Sequence, residues 1–203
     1  DLIAAEDTRH TKRLLNHFAI NTPLISYYRE KEAERSEEIL RRLQEGQNIA
    51  LVSDAGTPCI SDPGAVVVKL VQENGLTVVP LPGPSALTTA LSGSGITSSG
   101  FLFVGFLPSK KGQRRKMLSS MATSEYPLVL YESPHRIDAL LSDALAIFGE
   151  RLCFWARELT KTFEDLQHGT LTSLLEKSRE GRNRGEFVVI IWPGVEEEVQ
   201  GQT

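Results

Sequence analysis

Cysteine is nearly absent from this chain: Cys59 and Cys153 are the two among 203 residues. Two cysteines make neither a disulfide framework nor, at that spacing, a zinc site, so a reducing cytoplasmic compartment and no metal are expected. No apolar run approaches the roughly 20 residues a membrane helix needs, so no membrane partner is expected. The opening residues, Asp1 to Asp7, lack the basic start and small-residue cleavage site of a secretory signal. They also lack Met and begin directly on an apolar run, which reads as an incomplete N-terminus. The glycine patterns that cradle phosphates, Gly-Lys-Ser and G-x-G-x-x-G, are missing, as are H-E-x-x-H and a Ser-His-Asp order. These absences exclude the common nucleotide-hydrolase, dinucleotide-oxidoreductase, zinc-protease and triad-hydrolase designs.

An excess of charge of one sign is also nearly lacking, with 22 Lys and Arg against 26 Asp and Glu. The formal net charge of -4 does not mark the whole chain as a nucleic-acid binder. Locally it is different. Ser109 to Lys116 reads SKKGQRRK, with five basic residues in eight (Lys110, Lys111, Arg114, Arg115, Lys116), and a looser cluster holds Arg9, His10, Lys12 and Arg13. On charge alone each reads as a solvated helix face.

What is present is an alternation of strand and helix patterns. Apolar runs at 2–5, 24–28, 48–53 and 76–81 read as strands. Helical spacing marks 8–18, with Leu14, Leu15 and Phe18 inward, and 30–45, with Ile39, Leu40 and Leu43 inward. Further helices are expected from about Pro63 to Asn74 and from Pro84 to Leu91. That rhythm implies a parallel sheet with right-handed crossovers. The small, polar stretch Ser92 to Gly100 is read as a boundary, giving an N-terminal α/β domain (1–95), a C-terminal α/β domain (100–194) and a frayed tail (195–203). In the second half, strands are expected at 101–106, 128–132, 152–156 and 186–192, and helices at 112–121, 136–148 and 171–178. The clearest stripe is Ile137, Leu140, Leu141, Ala144, Leu145 and Phe148.

The chemistry is sought where loops follow strands, because ligands in open parallel sheets bind beyond the strands' carboxyl ends. Ser53 to Gly64, SDAGTPCISDPG, follows a buried strand. Twelve residues is long for a strand-to-helix loop, which usually takes about 2–6. Ser61 or Asp62 is a plausible N-cap there, with Pro63 at the first helical position. Pro80 to Ala86, PLPGPSA, is a second such loop, with Gly83 and Pro84 placed to open a helix. Either could be an ordinary turn; two on one sheet edge make a crevice suited to backbone and apolar contacts. Tyr131 to Arg136 (YESPHR) and Ala156 to Glu164 (ARELTKTFE) put carboxylates beside basic residues at strand ends, as surface ion pairs also would. In AEDTRHT, Glu6, Asp7 and Thr8 sit where a strand gives way to a helix, with Thr8 as the expected cap.

These stretches together resemble a known family. AEDTRHT, LVSDAGTPCISDPG, VVPLPGPSAL, FVGFLP, YESPHR, ARELTKTFE and GEFVVII occur in this order and at similar spacing in the 2′-O-methyltransferases of small-subunit ribosomal RNA, within the tetrapyrrole-methylase superfamily. The motifs run from Ala5 to Ile191. The resemblance implies two α/β domains with S-adenosylmethionine in the cleft between them, and a homodimer. It implies cofactor contacts from Ser53, Asp54, Ala55, Gly56, Thr57, Pro84, Ser85, Ala86, Tyr131, Glu132 and Leu159. Members also carry a strand and a Gly-Thr-Pro-Ile-Gly-Asn-Leu turn ahead of AEDTRHT that this sequence does not contain.

The reaction so implied is attack of a cytidine ribose 2′-oxygen of 16S ribosomal RNA on the sulfonium methyl. In-line positioning can supply much of the acceleration, up to about 7–11 kcal/mol. The hydroxyl proton must leave, and Glu132, Glu158 and Lys161 are the candidate catalytic groups. With this family in view, the partner is 16S rRNA or the small subunit, and Lys110, Lys111, Arg114, Arg115, Lys116 and Arg9 are expected on its phosphates. Two competing readings are a methyltransferase of the same fold acting on a tetrapyrrole or other small molecule, and a non-catalytic RNA-binding or assembly protein.

Overall fold

The computed structural model describes residues 1–181 and 184–194, and the chain divides into two compact units, Asp1–Ser85 and Ala86–Thr203. The expected tail at 195–203 lies outside the described residues. The division falls before the helix Ala86–Gly93, where the sequence placed it after. That helix buries Leu87 and Ala90 against Val188 and Ile190 of the second unit, and this packing outweighs the flexible composition that follows it.

In the first unit, β1 (Leu2–Ala5) lies between β2 (Leu24–Ser26) and β3 (Ile49–Val52), all parallel. The crossovers are α1 (Thr8–His17) and, after a 3₁₀ turn at Arg29–Lys31, α2 (Glu32–Gln44); α3 (Ala65–Glu73) follows β3. One face of the sheet packs through Ala4, Ile25, Ile49 and Leu51 onto Ile39 of α2 and Val67 and Val71 of α3. Buried Tyr27 joins this core and shares a hydrogen bond with the Ser36 hydroxyl at 3.0 Å.

Four local expectations fail here. On α1, Leu15 is buried with Thr11, while Leu14 and Phe18 face out. The cap of α1 is Asp7, not Thr8: its carboxylate accepts from the Arg9 N–H at 2.8 Å. Helix α3 begins after Gly64, whose φ of 142° no other residue adopts easily, so neither Ser61 nor Asp62 caps it and Pro63 precedes it. Segment 76–81 is not a ladder strand. It alternates as one, with Leu76 and Val78 against the core and Val79 and Leu81 exposed, but its N–H and C=O groups form no ladder with a neighbour.

The second unit has α4 (Ala86–Gly93), β4 (Leu102–Phe106), α5 (Lys111–Ser120), β5 (Leu128–Glu132), α6 (Ile137–Phe148), β6 (Leu152–Arg157), β7 (Asp165–Thr170), α7 (Leu171–Glu180) and β8 (Phe187–Ile191). Helix α4 starts two residues after Pro84, which therefore lies outside its first turn. The five-stranded sheet is ordered β4-β5-β8-β6-β7 and is mixed, not parallel: β8 runs antiparallel to β5 and β6, and β7 to β6. The polar run DLQHGT concealed β7, an edge strand. Both faces are packed. Leu128, Leu130, Cys153, Trp155, Phe187, Val189 and Ile191 face α6 and α7, while Val129, Phe154, Ala156, Val188 and Ile190 face α4. The α6 stripe holds as expected, with Ile137, Leu140, Leu141 and Ala144 fully buried.

Candidate functional site

In the first unit three chain segments meet beyond the carboxyl ends of β1 and β3. The Asp7 N–H donates to Asp54 at 3.2 Å and the Asp54 N–H to Glu6 at 3.3 Å, so the AEDTRHT turn and the β3 loop hold each other. Arg29 donates to the Ser61 carbonyl at 2.9 Å, and Glu32 on α2 accepts from the Gly64 N–H at 2.9 Å. The second loop is fastened to the first: the Thr57 hydroxyl donates to the Pro84 carbonyl at 3.0 Å. The two loops thus touch inside this unit, although the second leaves no strand of the sheet.

The surface they form is made of backbone and small side chains. Asp54, Ala55 and Gly56 are exposed, and Ser53 and Thr57 half-buried. Gly56 has φ +83°, and a Cβ there would lie 3.3 Å from the Pro84 carbonyl oxygen. Gly64 is tighter still, since a Cβ would overlap the Cys59 sulfur and the Leu51 methyl. Small residues therefore let the loop fold onto itself and leave its peptide groups approachable. Burial raises the Glu6 carboxyl above its usual range, and the nearby Asp62 and Asp54 add to that. Burial also raises Asp62. Sequence reasoning singled out Glu6, gave Asp62 a capping role only and gave Arg29 none; the fold brings 29, 54 and 61–62 together.

In the second unit Tyr131 and Glu132 end β5. The Tyr131 hydroxyl accepts from the N–H of Leu87 at 3.1 Å, and its ring meets Phe103 and Phe106 edge to face, at 5.1 and 5.6 Å. Glu132 is 1% exposed. Its Oε1 accepts from the Ser133 N–H at 2.8 Å and lies 3.2 Å from the Arg136 Nε; its buried Oε2 has no hydrogen-bond partner among the described residues. Burial outweighs these partners and raises its pKa. Arg136 also donates to the Leu107 carbonyl at 2.6 Å, tying the end of β5 to the loop after β4.

Glu158 and Lys161, expected among the catalytic groups, are spent on each other. The Lys161 ammonium lies 2.8 Å from Glu158 Oε1, which also accepts from the Glu186 N–H at 3.1 Å. Lys161 thereby holds the Glu158 carboxyl below its ordinary value, the wrong direction for a base. Glu158 and Thr160 have φ of +50° and +65°, and a Cβ on Gly185 would overlap the Glu158 carboxyl. This pair is a fastening of the loop to the start of β8. Leu159, between them, packs against the α4-side core.

The basic residues divide. Lys110, Lys111 and Lys116 are exposed and Arg115 is 41% exposed, but Arg114 is buried, 2.7 Å from Asp143 on α6. Its expected role on phosphate does not fit that burial. Arg9 is exposed and paired to Asp7 at 2.8 Å. Among the described residues no cluster of His, Cys, Asp and Glu suits a metal ion, and no helix is long and apolar enough to cross a membrane.

Comparison with known proteins shows the family of the chain. Residues 1–175 match the family of tetrapyrrole (corrin/porphyrin) methylases. The chain is 50% identical to the ribosomal RNA small subunit methyltransferase I of Escherichia coli O157:H7 over 194 residues, 94% of this chain and 68% of that protein. It is 49% identical to the protein of that name from Synechocystis sp., over 94% of this chain and 69% of the other. Among solved structures, uroporphyrin-III C-methyltransferase of Thermus thermophilus, complexed with S-adenosylhomocysteine, superposes with a TM-score of 0.60 at 17% identity (93% and 84% of the two chains). Cobalt precorrin-4 methyltransferase gives 0.63 at 14% (93% and 82%). At such identities the likeness is one of fold.

Proposed function

Because the chain belongs to the tetrapyrrole methylase family, as a relative of its ribosomal RNA small subunit methyltransferases, we propose that it methylates the ribose 2′-oxygen of a cytidine in 16S rRNA. It is an S-adenosylmethionine-dependent methyltransferase whose substrate is small-subunit ribosomal RNA. In this reading it acts in the cytoplasm as a homodimer. When bound, S-adenosylmethionine supplies a methyl group on a sulfonium centre, ready for displacement by an oxygen nucleophile.

The observation that carries the reading is the fastening of two small-residue loops by Thr57 and Pro84. They leave peptide groups exposed and place no lysine or arginine within 53–57 or 80–85, which suits a cofactor without phosphate. The residues Ser53 to Thr57 and Pro84 to Ala86 hold the cofactor in this proposal, and Tyr131, Glu132 and Leu159 are the further contacts that the family resemblance implies. The unpartnered Oε2 of Glu132 fits a group that accepts a donor from a ligand. Burial keeps Glu132 a better base than an exposed glutamate, so it is the preferred proton acceptor over Glu158. Lys110, Lys111, Arg115 and Lys116 take RNA phosphates.

The test is transfer of labelled methyl from S-adenosylmethionine to small-subunit rRNA, followed by digestion and mass spectrometry of the nucleosides. Label in 2′-O-methylcytidine is expected. Label on a base instead would overturn the 2′-O assignment. Transfer to uroporphyrinogen but not to RNA would replace it with the tetrapyrrole reading. Binding of RNA without binding of S-adenosylmethionine would leave an assembly protein.

A further inference from the structure

Neighbouring arginines on α5 have opposite environments, and a carboxylate on another helix touches both. Asp143 is 4% exposed and lies on the buried side of α6 among Leu140, Leu141 and Ala144. Its Oδ2 accepts from Arg114 Nε at 2.9 Å and its Oδ1 from Arg115 Nη1 at 3.0 Å. Burial alone would raise this carboxyl, but the two arginines' hydrogen bonds overcome that and hold it low, so it is charged. Arg114, buried, also donates to the Ser109 carbonyl at 3.3 Å, just before the lysines. Arg115 has 41% of its side chain in solvent and is bonded to Asp143 through Nη1.

A buried ion pair is seldom more stable than apolar residues of the same size, so stability alone does not account for an aspartate here. The charges do. Arg114 neutralises Asp143, which leaves the positive charge of Arg115 uncancelled at the surface. Arg115 is tethered through Nη1 of its planar fork, while 41% of its side chain stays in solvent. An arginine already held in place gives up less rotamer freedom when it grips a phosphate. Lys111, four residues earlier on α5, stands on the same helix face.

We propose that Asp143 is a positioning residue for RNA: with Arg114 as its buried counter-charge, it holds Arg115 in the orientation that binds a phosphate of the RNA backbone. This rests on the rRNA reading above. Arg114 thus acts through Asp143, and of these three residues only Arg115 touches substrate.

The experiment is a mutant cycle on the complete protein, with a small-subunit rRNA transcript as substrate and labelled S-adenosylmethionine. Arg115→Ala is expected to raise the KM for RNA about tenfold, with a smaller change in kcat, and to lower the slope of log affinity against log salt by about one. Asp143→Asn is expected to raise the same KM, and the double variant to match Arg115→Ala. Additive losses would make Asp143 merely structural and overturn the proposal, as would a wild-type KM for Arg115→Ala. Should Asp143→Asn fail to fold by circular dichroism, Arg115→Lys decides. It keeps the charge without the fork, so the salt slope should return while KM stays raised; recovery of both would overturn the proposal. Calorimetry with S-adenosylmethionine, expected unchanged in Arg115→Ala, separates this from a damaged cofactor site. A loss confined to Lys110→Ala and Lys111→Ala would sink the Asp143 inference and leave the rRNA reading standing. No RNA methylation by the wild-type protein would sink both.

Discussion

The two units use their sheets differently. In the second, β5, β6 and β8 are covered on both faces, and nearly every side chain of those strands is buried. In the first, three short strands bury one cluster, β3 stays partly accessible, and the apolar segment 76–81 runs without a ladder partner, with Val79 70% and Leu81 78% exposed. Side-chain packing carries the second unit. The first gives its loops to backbone surface, held by a few hydrogen bonds among Glu6, Asp54, Thr57 and Pro84. The contrast teaches that packing and ligand contact draw on different parts of the chain: apolar volume in one unit, glycine and exposed peptide groups in the other.

The strongest way to break that contrast is to empty the packed unit. Leu140→Ala removes a fully buried side chain from α6. A cost of about 2–5 kcal/mol is expected, measured by denaturant unfolding. That corresponds to a fall in Tm of roughly 5–15 °C for a chain of this size. A loss below about 1 kcal/mol would mean that the core under α6 collapses around the gap and that the second unit is not packing-limited.

The complementary change strikes the loops. Gly56→Ala forces a Cβ into a φ of +83°, 3.3 Å from the Pro84 oxygen. The strain is about 1–2 kcal/mol, a Tm loss of only a few degrees. S-adenosylmethionine should nevertheless bind at least about tenfold more weakly by calorimetry, because the peptide groups at 54–57 shift with it. Unaltered binding would remove this loop from the cofactor site.

The same contrast governs what could be read from the sequence. Strands β5, β6 and β8 and helix α6 were legible nearly to the residue, because burial on both faces imposes continuous apolar runs and a full helical stripe. Strand β7 was not: DLQHGT is polar, and it is a strand through its pairing with β6. Segment 76–81 failed the opposite way, carrying a strand's alternation without a ladder. Of the site, the loops were visible from their composition and length. The division of labour between Arg114 and Arg115 was not, because it depends on Asp143, 29 and 28 residues away. Likewise Glu132 and Glu158 look alike in sequence, each a carboxylate near basic residues at a strand's end. Depth separates them: one is desolvated, the other neutralised.

That separation yields the smallest and sharpest effect. The side chains of Glu158 and Lys161 are 18% and 53% exposed, so their pair contributes about 0.5–1 kcal/mol after solvent screening. Glu158→Gln should therefore lower Tm by only one to three degrees at neutral pH. The sign with pH follows from the lowered carboxyl. Its stabilisation is present above the unfolded value near 4.5 and is lost as pH falls through the lower folded value. Wild type and variant should thus converge in acid. Methyl transfer to RNA should fall no more than about threefold, because the amide still accepts the Glu186 N–H and the loop keeps its course. A drop of a hundredfold or more in kcat with Tm unchanged would restore Glu158 as the base. It would also mean that the second unit does more at this loop than hold itself together.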